Sequence, residues 1–467
     1  MWSTTSLMPT YYATAQALLM RGDVYSNGEI FCYFDGHIIT AYMRKSQIEK
    51  FKQEGKKFLD KSFFQKYGEQ YKKETECWWN WVRNIESDNH LQTESTTLLK
   101  EYTQFIEYMR DSIAYFGSTR TEFTFATEQL LEEIIKKYYG NKWPDIFGIL
   151  TTAVVLDDIQ KEYLDWLKLL ENKYDDQDLL DHTSKYPWLV FGQFHDDRVI
   201  EYIKKRISAE TGNYGDELER LKNVKQSLKK EQNKILKNSN DDATVARYLA
   251  TVLQSQSIER MNIKKYWAGS YYLTRKMWLK IAENTGLVLE DLIGFIIPEE
   301  VGKIISGNLV DDISLIINDR KRAYAIVISD GVLNVLGSNE ATVLFHERIK
   351  KAENINNKIK GQTAMLGVAR GKVRKVIAGD LDMLQESIRN FKQGEILVTS
   401  MTQPNMMVLA QKAAAIIADE GGITSHAAII ARELKVPCIV GCLHAMELLE
   451  DGSEVEVNAN DGEIIIL

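Results

Sequence analysis

Apolar residues recur every three or four positions through most of the first 345 residues. This spacing is typical of amphipathic helices. It predicts helices over Ser46–Tyr71, Leu98–Tyr115, Thr121–Tyr139, Leu156–Asn172, Gly215–Lys237, Ala243–Tyr266 and Gly269–Asn284. Two shorter stretches, 30–43 and 323–337, each carry an Asp-Gly turn between apolar runs and favour β-hairpins. The pattern therefore predicts a mainly helical region over residues 1–345.

A different pattern begins near Gly361, where short apolar runs alternate with short helical stretches. The predicted strands are Glu395–Thr399, Ala413–Ala418, Pro437–Val440, Glu454–Val457 and Ile464–Ile466, with helices over Pro404–Gln411 and after Ser425. Strands that alternate with helices are typical of a layered α/β domain, which we expect over 361–467. The polar segment 346–360, rich in Lys, Glu and Asn, is predicted to be a linker. The fold class is thus multidomain, α followed by α/β.

One segment of the C-terminal domain combines a glycine turn, a helix start and a histidine. Gly421 and Gly422 follow an apolar run, and the hydroxyl of Thr424 or Ser425 can cap the helix that follows. His426 then falls in the first helical turn, where unpaired backbone N–H groups and the helix dipole favour an anion. This arrangement predicts a histidine suited to carry a phosphoryl group.

Length, charge and cysteine content indicate a globular protein of two or three domains. A chain of 467 residues, with 44% hydrophobic and 27% charged residues, is ordinary for two or three globular domains. The net charge of -8 disfavours nonspecific binding to nucleic acid, and four cysteines are too few for a disulfide framework. Neither a signal peptide nor a run of about 18 apolar residues is found. We therefore expect a cytoplasmic protein with no metal site, nucleic-acid partner or membrane partner.

The stretch Asp419–Gly441, DEGGITSHAAIIARELKVPCIVG, resembles the phosphohistidine signature of the phosphoenolpyruvate (PEP)-utilising enzymes. That family includes PEP synthase, pyruvate phosphate dikinase, the sugar-phosphotransferase enzyme I and rifampicin phosphotransferase. The resemblance implies that His426 is phosphorylated and lies on a swivelling β/β/α domain. It also implies that Thr424 and Ser425 donate hydrogen bonds to the phosphoryl oxygens, beside Gly421 and Gly422. Arg432, in the same signature, either supplies charge to the phosphoryl group, holds a donor domain or pairs near Glu433.

The resemblance covers about the last hundred residues and also implies partners. In the family an ATP-grasp domain phosphorylates the histidine, and in the pyruvate enzymes a C-terminal barrel receives the phosphate. Neither is recognisable in this sequence, whose order resembles rifampicin phosphotransferase without its ATP-grasp part. We therefore expect half of a split phosphotransferase, in which a separate ATP-grasp protein uses ATP and Mg²⁺ to phosphorylate His426. Residues of about 40 to 345 would bind a small-molecule acceptor.

Two alternatives to this function remain open. One is a carrier for pyruvate and PEP interconversion, with both other domains supplied in trans. The other is a non-catalytic binding or regulatory module that keeps the fold. Phosphorylation of His426 distinguishes a carrier from a binding module.

The helical period fails over 174–197, which predicts a loop of the acceptor domain. Within it His182, Trp188 and His195 are the candidate substrate contacts, because loops concentrate binding residues. Their spacing matches no metal motif.

Other conspicuous side chains in the helical region favour structural roles. Trp78, Trp79 and Trp81 fit interhelix packing better than an aromatic wall for a planar ligand. Arg260 and Arg275 fit structural ion pairs better than a phosphate site.

Overall fold

The structure, a computed structural model, describes residues 2–3, 8–21, 30–87, 95–190, 194–207, 212–237, 241–308, 312–329, 331–348, 358–376, 387, 389–402, 406–423, 425–442 and 444–467. Helices dominate the N-terminal region within these ranges. They are α1 Met8–Met20, α2 Lys45–Gly55, α3 Lys61–Ser87, α4 Ser95–Ser118, α5 Thr121–Tyr139, α6 Trp143–Thr151, α7 Asp158–Leu170, α8 Asp176–Lys185, α9 Asp196–Ile207, α10 Tyr214–Ile235, α11 Asp241–Trp267, α12 Gly269–Leu273, α13 Arg275–Thr285, α14 Leu289–Phe295, α15 Pro298–Ile305, α16 Ile313–Arg322 and α17 Ser338–Arg348. The prediction of a mostly helical N-terminal region is confirmed.

Large aromatic side chains fill the core of the helical region. Phe105 of α4 lies edge-on to Trp278 of α13, with ring centroids 5.2 Å apart, and Tyr271 of α12 stacks on the same indole at 5.6 Å. All three side chains are buried. Burial of such large apolar surfaces is the main source of stability for a helical domain.

The helix that was predicted over Ser46–Tyr71 is divided in the structure. α2 ends at Gly55, a 3₁₀ turn covers Lys56–Leu59, and α3 begins at Lys61, so the single long helix of the prediction is wrong. Gly55 keeps helical backbone angles, and the chain leaves them at the extended Asp60. A Cβ on Gly55 would lie 2.2 Å from the carbonyl oxygen of Phe123 in α5, so glycine is needed where α2 crosses α5 at backbone distance.

The segment 174–197 is more regular than its sequence suggested. It contains α8 and a 3₁₀ turn, Pro187–Val190, so the prediction of a continuous loop is wrong. Asp175 caps α8 by accepting a hydrogen bond from the backbone N–H of Asp178, and the Asp178 side chain accepts one from the backbone N–H of Asp175. The acidic residues that masked the helical period form this capping box.

The two predicted hairpins join into one antiparallel sheet. Its strands are β1 Trp2–Ser3, β2 Phe31–Phe34, β3 Ile38–Tyr42, β4 Tyr324–Ser329 and β5 Val332–Leu336, in the order β1-β3-β2-β4-β5. Strand β2 pairs with β4, nearly three hundred residues later in the chain. This pairing places residues from both ends of the helical region in one sheet.

An eight-stranded sheet forms the C-terminal part. Its elements are β6 Lys358–Lys360, β7 Gln362–Met365, β8 Val368–Lys375, β9 Ile396–Thr399, α18 Met407–Lys412, β10 Ala415–Ala418, α19 His426–Leu434, β11 Cys438–Val440, α20 Ala445–Leu448, β12 Glu454–Asn458 and β13 Glu463–Ile466. The strand order is β6-β13-β12-β8-β9-β10-β11-β7, and β8 to β11 run parallel. Alternate residues of β10 pack on opposite faces, Ile416 against α19 and Ile417 against the core beside β12. The parallel centre is thus buried on both faces.

The described residues at both ends of the predicted linker 346–360 have regular structure. Residues 346–348 are the last turn of α17, and Lys358–Lys360 forms β6, which pairs with β13. The rest of the predicted linker, 349–357, lies outside the described residues. None of the described helices is both long enough and apolar enough to cross a membrane.

Candidate functional site

His426 is the first residue of α19 and directly follows the loop that leaves β10. Ser425 is the helix cap, and its Oγ accepts a hydrogen bond from the backbone N–H of Ala428 at 3.4 Å. Gly421 has a φ of 99°, in the left-handed region, and its missing Cβ leaves space for Ser425. The predicted turn, cap and histidine position therefore agree with the structure. Thr424 lies outside the described residues.

A second strand end contributes Thr402 to the site. Thr402 follows β9, which is the parallel neighbour of β10, and its Oγ1 lies 2.9 Å from His426 Nδ1. Thr402 is 5% exposed and His426 is partly buried. This hydrogen bond fixes the orientation of the imidazole and occupies one ring nitrogen. Because the carboxyl ends of parallel strands are where α/β domains place their sites, strand topology would have indicated this threonine.

Asp419 holds the end of β10 in place. Its carboxylate accepts hydrogen bonds from the backbone N–H groups of Ala445 and Met446, at 2.5 and 2.9 Å, at the start of α20. Burial raises the pKa of Asp419, whereas these two hydrogen bonds act to lower it. The contact ties the phosphohistidine loop, residues 419–425, to the next helix.

Arg432 supports the same loop from behind. Its guanidinium donates to the carbonyl oxygens of Ile423 and Ala364, the latter at 3.2 Å. It also lies against Gly148 of α6, where a Cβ would be 3.1 Å from Arg432 Cδ. Burial lowers the pKa of Arg432 to about 10. The described contacts make Arg432 a support of the loop at the boundary with the helical region, while the three roles expected for this arginine stay predictions.

The phosphohistidine loop docks on the helical region through Gly422 and Ile423. A Cβ on Gly422 would lie 2.2 Å from Thr121 Cγ2, at the first residue of α5. The buried side chain of Ile423 joins an apolar cluster with residues of α5, α6 and α11, among them Leu131 and Phe147. The second glycine of the pair is thus required by contact with another domain.

Charged residues surround this docking contact. Arg120, which precedes α5, donates to Glu122 at 3.3 Å through two nitrogens. Arg260 of α11 donates to the carbonyl oxygen of Thr119 at 3.2 Å. Glu420, next to Gly421, lies near enough to Arg260 for its charge to affect the pKa of that arginine.

The three predicted acceptor contacts have described partners inside the helical region. His182 Nε2 lies 2.9 Å from the carboxylate of Glu162, and both side chains are buried. Trp188 packs edge-on against Tyr186, with ring centroids 5.1 Å apart, and His195 is an exposed residue just before α9. The structure does not bring these side chains together with His426 through any described contact, and their binding role stays a prediction.

The tryptophans of α3 pack between helices. Trp78 is buried against Tyr266 of α11, and Trp79 meets the same ring edge-on. A cavity of about 100 Å³ lies beside Trp78 and Tyr115, between α3 and α4. It is smaller than the roughly 300–1,000 Å³ of typical small-molecule sites. Packing is therefore the main role of these indoles.

The cysteines near the end of the chain are buried thiols. Burial raises the pKa of Cys438 to about 12, so the thiol stays protonated at neutral pH. His444 lies 3.3 Å from Glu447 on its own helix turn. In the part of the chain that the structure describes, no group of three or more His, Cys, Asp and Glu side chains is arranged to hold a metal ion.

Comparison with known proteins places this site in a family. The PEP-utilising enzyme mobile domain matches residues 391–462, which include Thr402, the phosphohistidine loop and α19. A probable phosphoenolpyruvate synthase of Archaeoglobus fulgidus is 34% identical over 171 residues, 35% of this chain and 21% of that protein. The phosphoenolpyruvate synthase of Pyrococcus furiosus is 42% identical over 124 residues, 26% of this chain and 14% of that protein.

A solved structure also matches part of the chain. Aconitase X of Thermococcus kodakaraensis, in its holo form, matches 24% of this chain and 98% of its own length, with 20% identity and a TM-score of 0.18. That score is too low to define a common fold.

These matches are partial, since the chain spans about a fifth or less of the length of the two phosphoenolpyruvate synthases. They agree with the signature that surrounds His426. Residues 391–462 match the PEP-utilising enzyme mobile domain, and the signature around His426 lies within them.

Proposed function

We propose that this chain is the phosphohistidine carrier of a split phosphotransferase related to PEP synthase. His426 accepts a phosphoryl group from a separate ATP-grasp protein, which holds ATP with Mg²⁺, and passes it to a small-molecule acceptor. The position of His426 carries the proposal: it begins α19, its Nδ1 is held by Thr402, and it lies inside the matched mobile domain.

The hydrogen bond to Thr402 suits a nucleophilic imidazole. When Nδ1–H donates to Thr402 Oγ1, the neutral ring carries its lone pair on Nε2. Nε2 then attacks the β-phosphorus of the nucleotide in line and forms the N–P bond of a phosphoramidate. AMP leaves with the oxygen that bridged the α- and β-phosphorus atoms, and water releases the γ-phosphate.

The start of α19 suits the phosphorylated state. Backbone N–H groups of a first helical turn lack intrahelical partners, and the helix dipole places positive charge there. Both features favour a phosphoryl group on a residue at this position. Arg432 supports this arrangement from the opposite side by holding the carbonyl oxygen of Ile423.

The docked loop favours an acceptor that is bound by the helical region. Gly422 and Ile423 contact α5 and its neighbours, so the carrier meets this region at the loop that bears the histidine. A second candidate is a carrier for pyruvate and PEP, which the names of the two relatives favour. Adding pyruvate and cell extract to the chain labelled on His426 separates the two, because only the second function transfers the label to PEP.

The test is transfer of label to His426 from ATP in the presence of Mg²⁺ and cell extract. The proposal predicts label from β-³²P-ATP, none from γ-³²P-ATP, and complete loss in His426→Ala. His444→Ala is the matched control, because this exposed histidine lies in the same domain and should not affect labelling. Equal labelling of the wild type and His426→Ala would overturn the proposal.

A further inference from the structure

Three successive residues at the turn between α4 and α5, Thr119 to Thr121, make contacts that bear on the phosphohistidine loop. The carbonyl oxygen of Thr119 accepts the hydrogen bond from Arg260, Arg120 pairs with Glu122, and Thr121 touches Gly422. Two guanidinium groups therefore converge where the phosphohistidine loop meets the helical region.

The guanidinium group of Arg260 is removed from water at this contact. Its guanidinium lies over the ring of Phe116, 5.3 Å from the centroid. Burial and the charge of Arg120 lower the pKa of Arg260. Its described hydrogen bond goes to a neutral carbonyl group and uses one of five N–H donors. The positive charge of this arginine is thus only partly balanced by the helical region.

Carboxylates near the two arginines come from both parts of the chain. On the helical side Glu122 is mostly buried, which by itself would raise its pKa, yet the charges of Arg120 and Arg260 lower it. Glu420 comes from the phosphohistidine loop and acts to raise the pKa of Arg260. The buried phenol of Tyr11 also lies within the electrostatic reach of Glu420.

Glu420 belongs to the immediate surroundings of the phosphohistidine. It precedes Gly421, where a Cβ would lie 2.6 Å from Ser425 Cβ, and Ser425 precedes His426. The loop is therefore folded back on itself, and the chain neighbours of Glu420 and His426 are in contact. Among the described residues, the carboxylates that act on the pKa of Arg260 are Glu122 on the helical side and Glu420 on the loop.

We propose that Arg120 and Arg260 form an anion site that binds the phosphoryl group of phospho-His426 when the mobile domain is docked. Glu420 supplies the balancing carboxylate while His426 is unphosphorylated. Guanidinium groups match this ligand because their N–H donors pair with phosphoryl oxygens in a planar, bidentate manner. The inference rests on the proposed function, because it requires a phosphoryl group on His426.

The test is a ³¹P NMR titration of the phosphorylated, full-length chain through neutral pH. A nearby guanidinium stabilises the more negative form of a phosphoryl group and lowers its pKa. We expect Arg260→Gln to raise the pKa of the phosphoryl group by about 1, and Arg260→Lys, which keeps the charge, to restore part of the difference. Glu420→Gln should lower the same pKa, because it removes a neighbouring negative charge.

Arg275→Gln is the matched control. Arg275 also stacks on an aromatic ring, that of Tyr272, but pairs with Asp196 inside the helical region. The Arg275→Gln variant should therefore leave the pKa of the phosphoryl group unchanged. If Arg260→Gln does not fold, Glu420→Gln at its exposed position decides the matter.

The outcomes separate the two proposals. An unchanged phosphoryl pKa in Arg260→Gln and in Glu420→Gln overturns the anion site while leaving the carrier function intact. Absence of a phosphoramidate signal in the wild type, after treatment with ATP, Mg²⁺ and cell extract, overturns both.

Discussion

The hydrogen bond between Thr402 Oγ1 and His426 Nδ1, 2.9 Å long, engages one of the two ring nitrogens of the histidine. Thr402 is buried just after β9, so water cannot readily replace its hydroxyl group. The bond holds the ring plane, and with Nδ1–H as the donor the imidazole is the tautomer that carries its lone pair on Nε2. At the residue scale, the proposed reactivity of His426 therefore depends on a side chain from the neighbouring strand.

Thr402→Val should slow phosphorylation of His426 while leaving the fold intact. Valine keeps the branched shape but removes a hydrogen bond of about 1 kcal/mol, which corresponds to roughly fivefold in rate. The measurement is the initial rate of labelling from β-³²P-ATP. Thr402→Ser, which keeps the hydroxyl group, is the control and should react at nearly the wild-type rate. Equal rates for Thr402→Val and wild type would contradict this role.

His426 and Ser425 could be predicted from the sequence, because the signals for them are local. A glycine pair, a capping hydroxyl and helical spacing all lie within one short segment. Thr402 lies 24 residues earlier, and its contact depends on β9 and β10 being parallel neighbours. Strand order is a tertiary property that spacing along the chain does not reveal.

At the scale of elements, α11 packs against α4 and α5 and carries a buried carboxylate. Glu259 is 8% exposed, and its Oε1 accepts a hydrogen bond from Ser255 at 3.2 Å. Its other oxygen is buried, and the hydroxyl group of Tyr67 lies close enough to act against the rise in the pKa of Glu259. Burial raises the pKa of Glu259 from 4.5 to about 7.

This carboxyl group should make the helical region less stable as pH rises. Unfolded Glu259 ionises near 4.5, whereas the folded state keeps the proton up to about 7. Because the unfolded state releases this proton first, the free energy of unfolding falls as pH rises from 4.5 to 7, by up to about 3 kcal/mol. Urea unfolding followed by tryptophan fluorescence measures this, since all nine tryptophans precede residue 279.

Glu259→Gln is the variant that isolates the effect. It stays neutral, so its stability should lack the part of the pH dependence that Glu259 contributes. If wild type and Glu259→Gln lose the same free energy of unfolding between mildly acidic and mildly alkaline pH, Glu259 ionises normally in the folded protein.

Elements with a strong local pattern could be predicted, and those set by distant contacts could not. The period of three to four gave α5 its observed bounds, Thr121–Tyr139. The acidic start of α8 hid its period, because Asp175 and Asp178 act as a cap instead of as loop residues. Glycine is needed at position 55 because the backbone of α5 crosses there. Sequence spacing carries no information about such a crossing.

At the scale of the whole molecule, the mobile domain is seen docked on the helical region. Ile423 enters an apolar cluster with α5, α6 and α11, and Gly422 lies against Thr121. Glu433 of α19 lies near Lys225 of α10, and burial raises the pKa of this carboxyl group. None of these contacts could be predicted from the sequence. The hydrophobic pattern predicts the helical region and the α/β domain separately and carries no information about which of their surfaces meet.

Gly422→Ala should weaken docking without unfolding either part. The new Cβ would lie 2.2 Å from Thr121 Cγ2, and overpacking of this kind costs about 1–3 kcal/mol. We expect faster amide hydrogen exchange in α6, which lies against Arg432 and β7 in the docked form.

Thr121→Ser removes the methyl group that clashes, so the double variant with Gly422→Ala should recover most of the protection. Gly68→Ala is the control, because a Cβ there meets open space. Unchanged exchange in Gly422→Ala would show that this contact does not hold the domains together.

The most direct test of the account is the phosphorylation state of His426 in the protein from its native cells. The chain should be purified without acid and examined by intact mass and by phosphopeptide mapping, with His426→Ala in parallel. We predict one phosphoryl group on the peptide that contains His426, labile in acid, stable in alkali and absent from the variant. The account is contradicted if the phosphate lies on another residue. It is also contradicted if His426 remains unmodified after ATP, Mg²⁺ and cell extract are added.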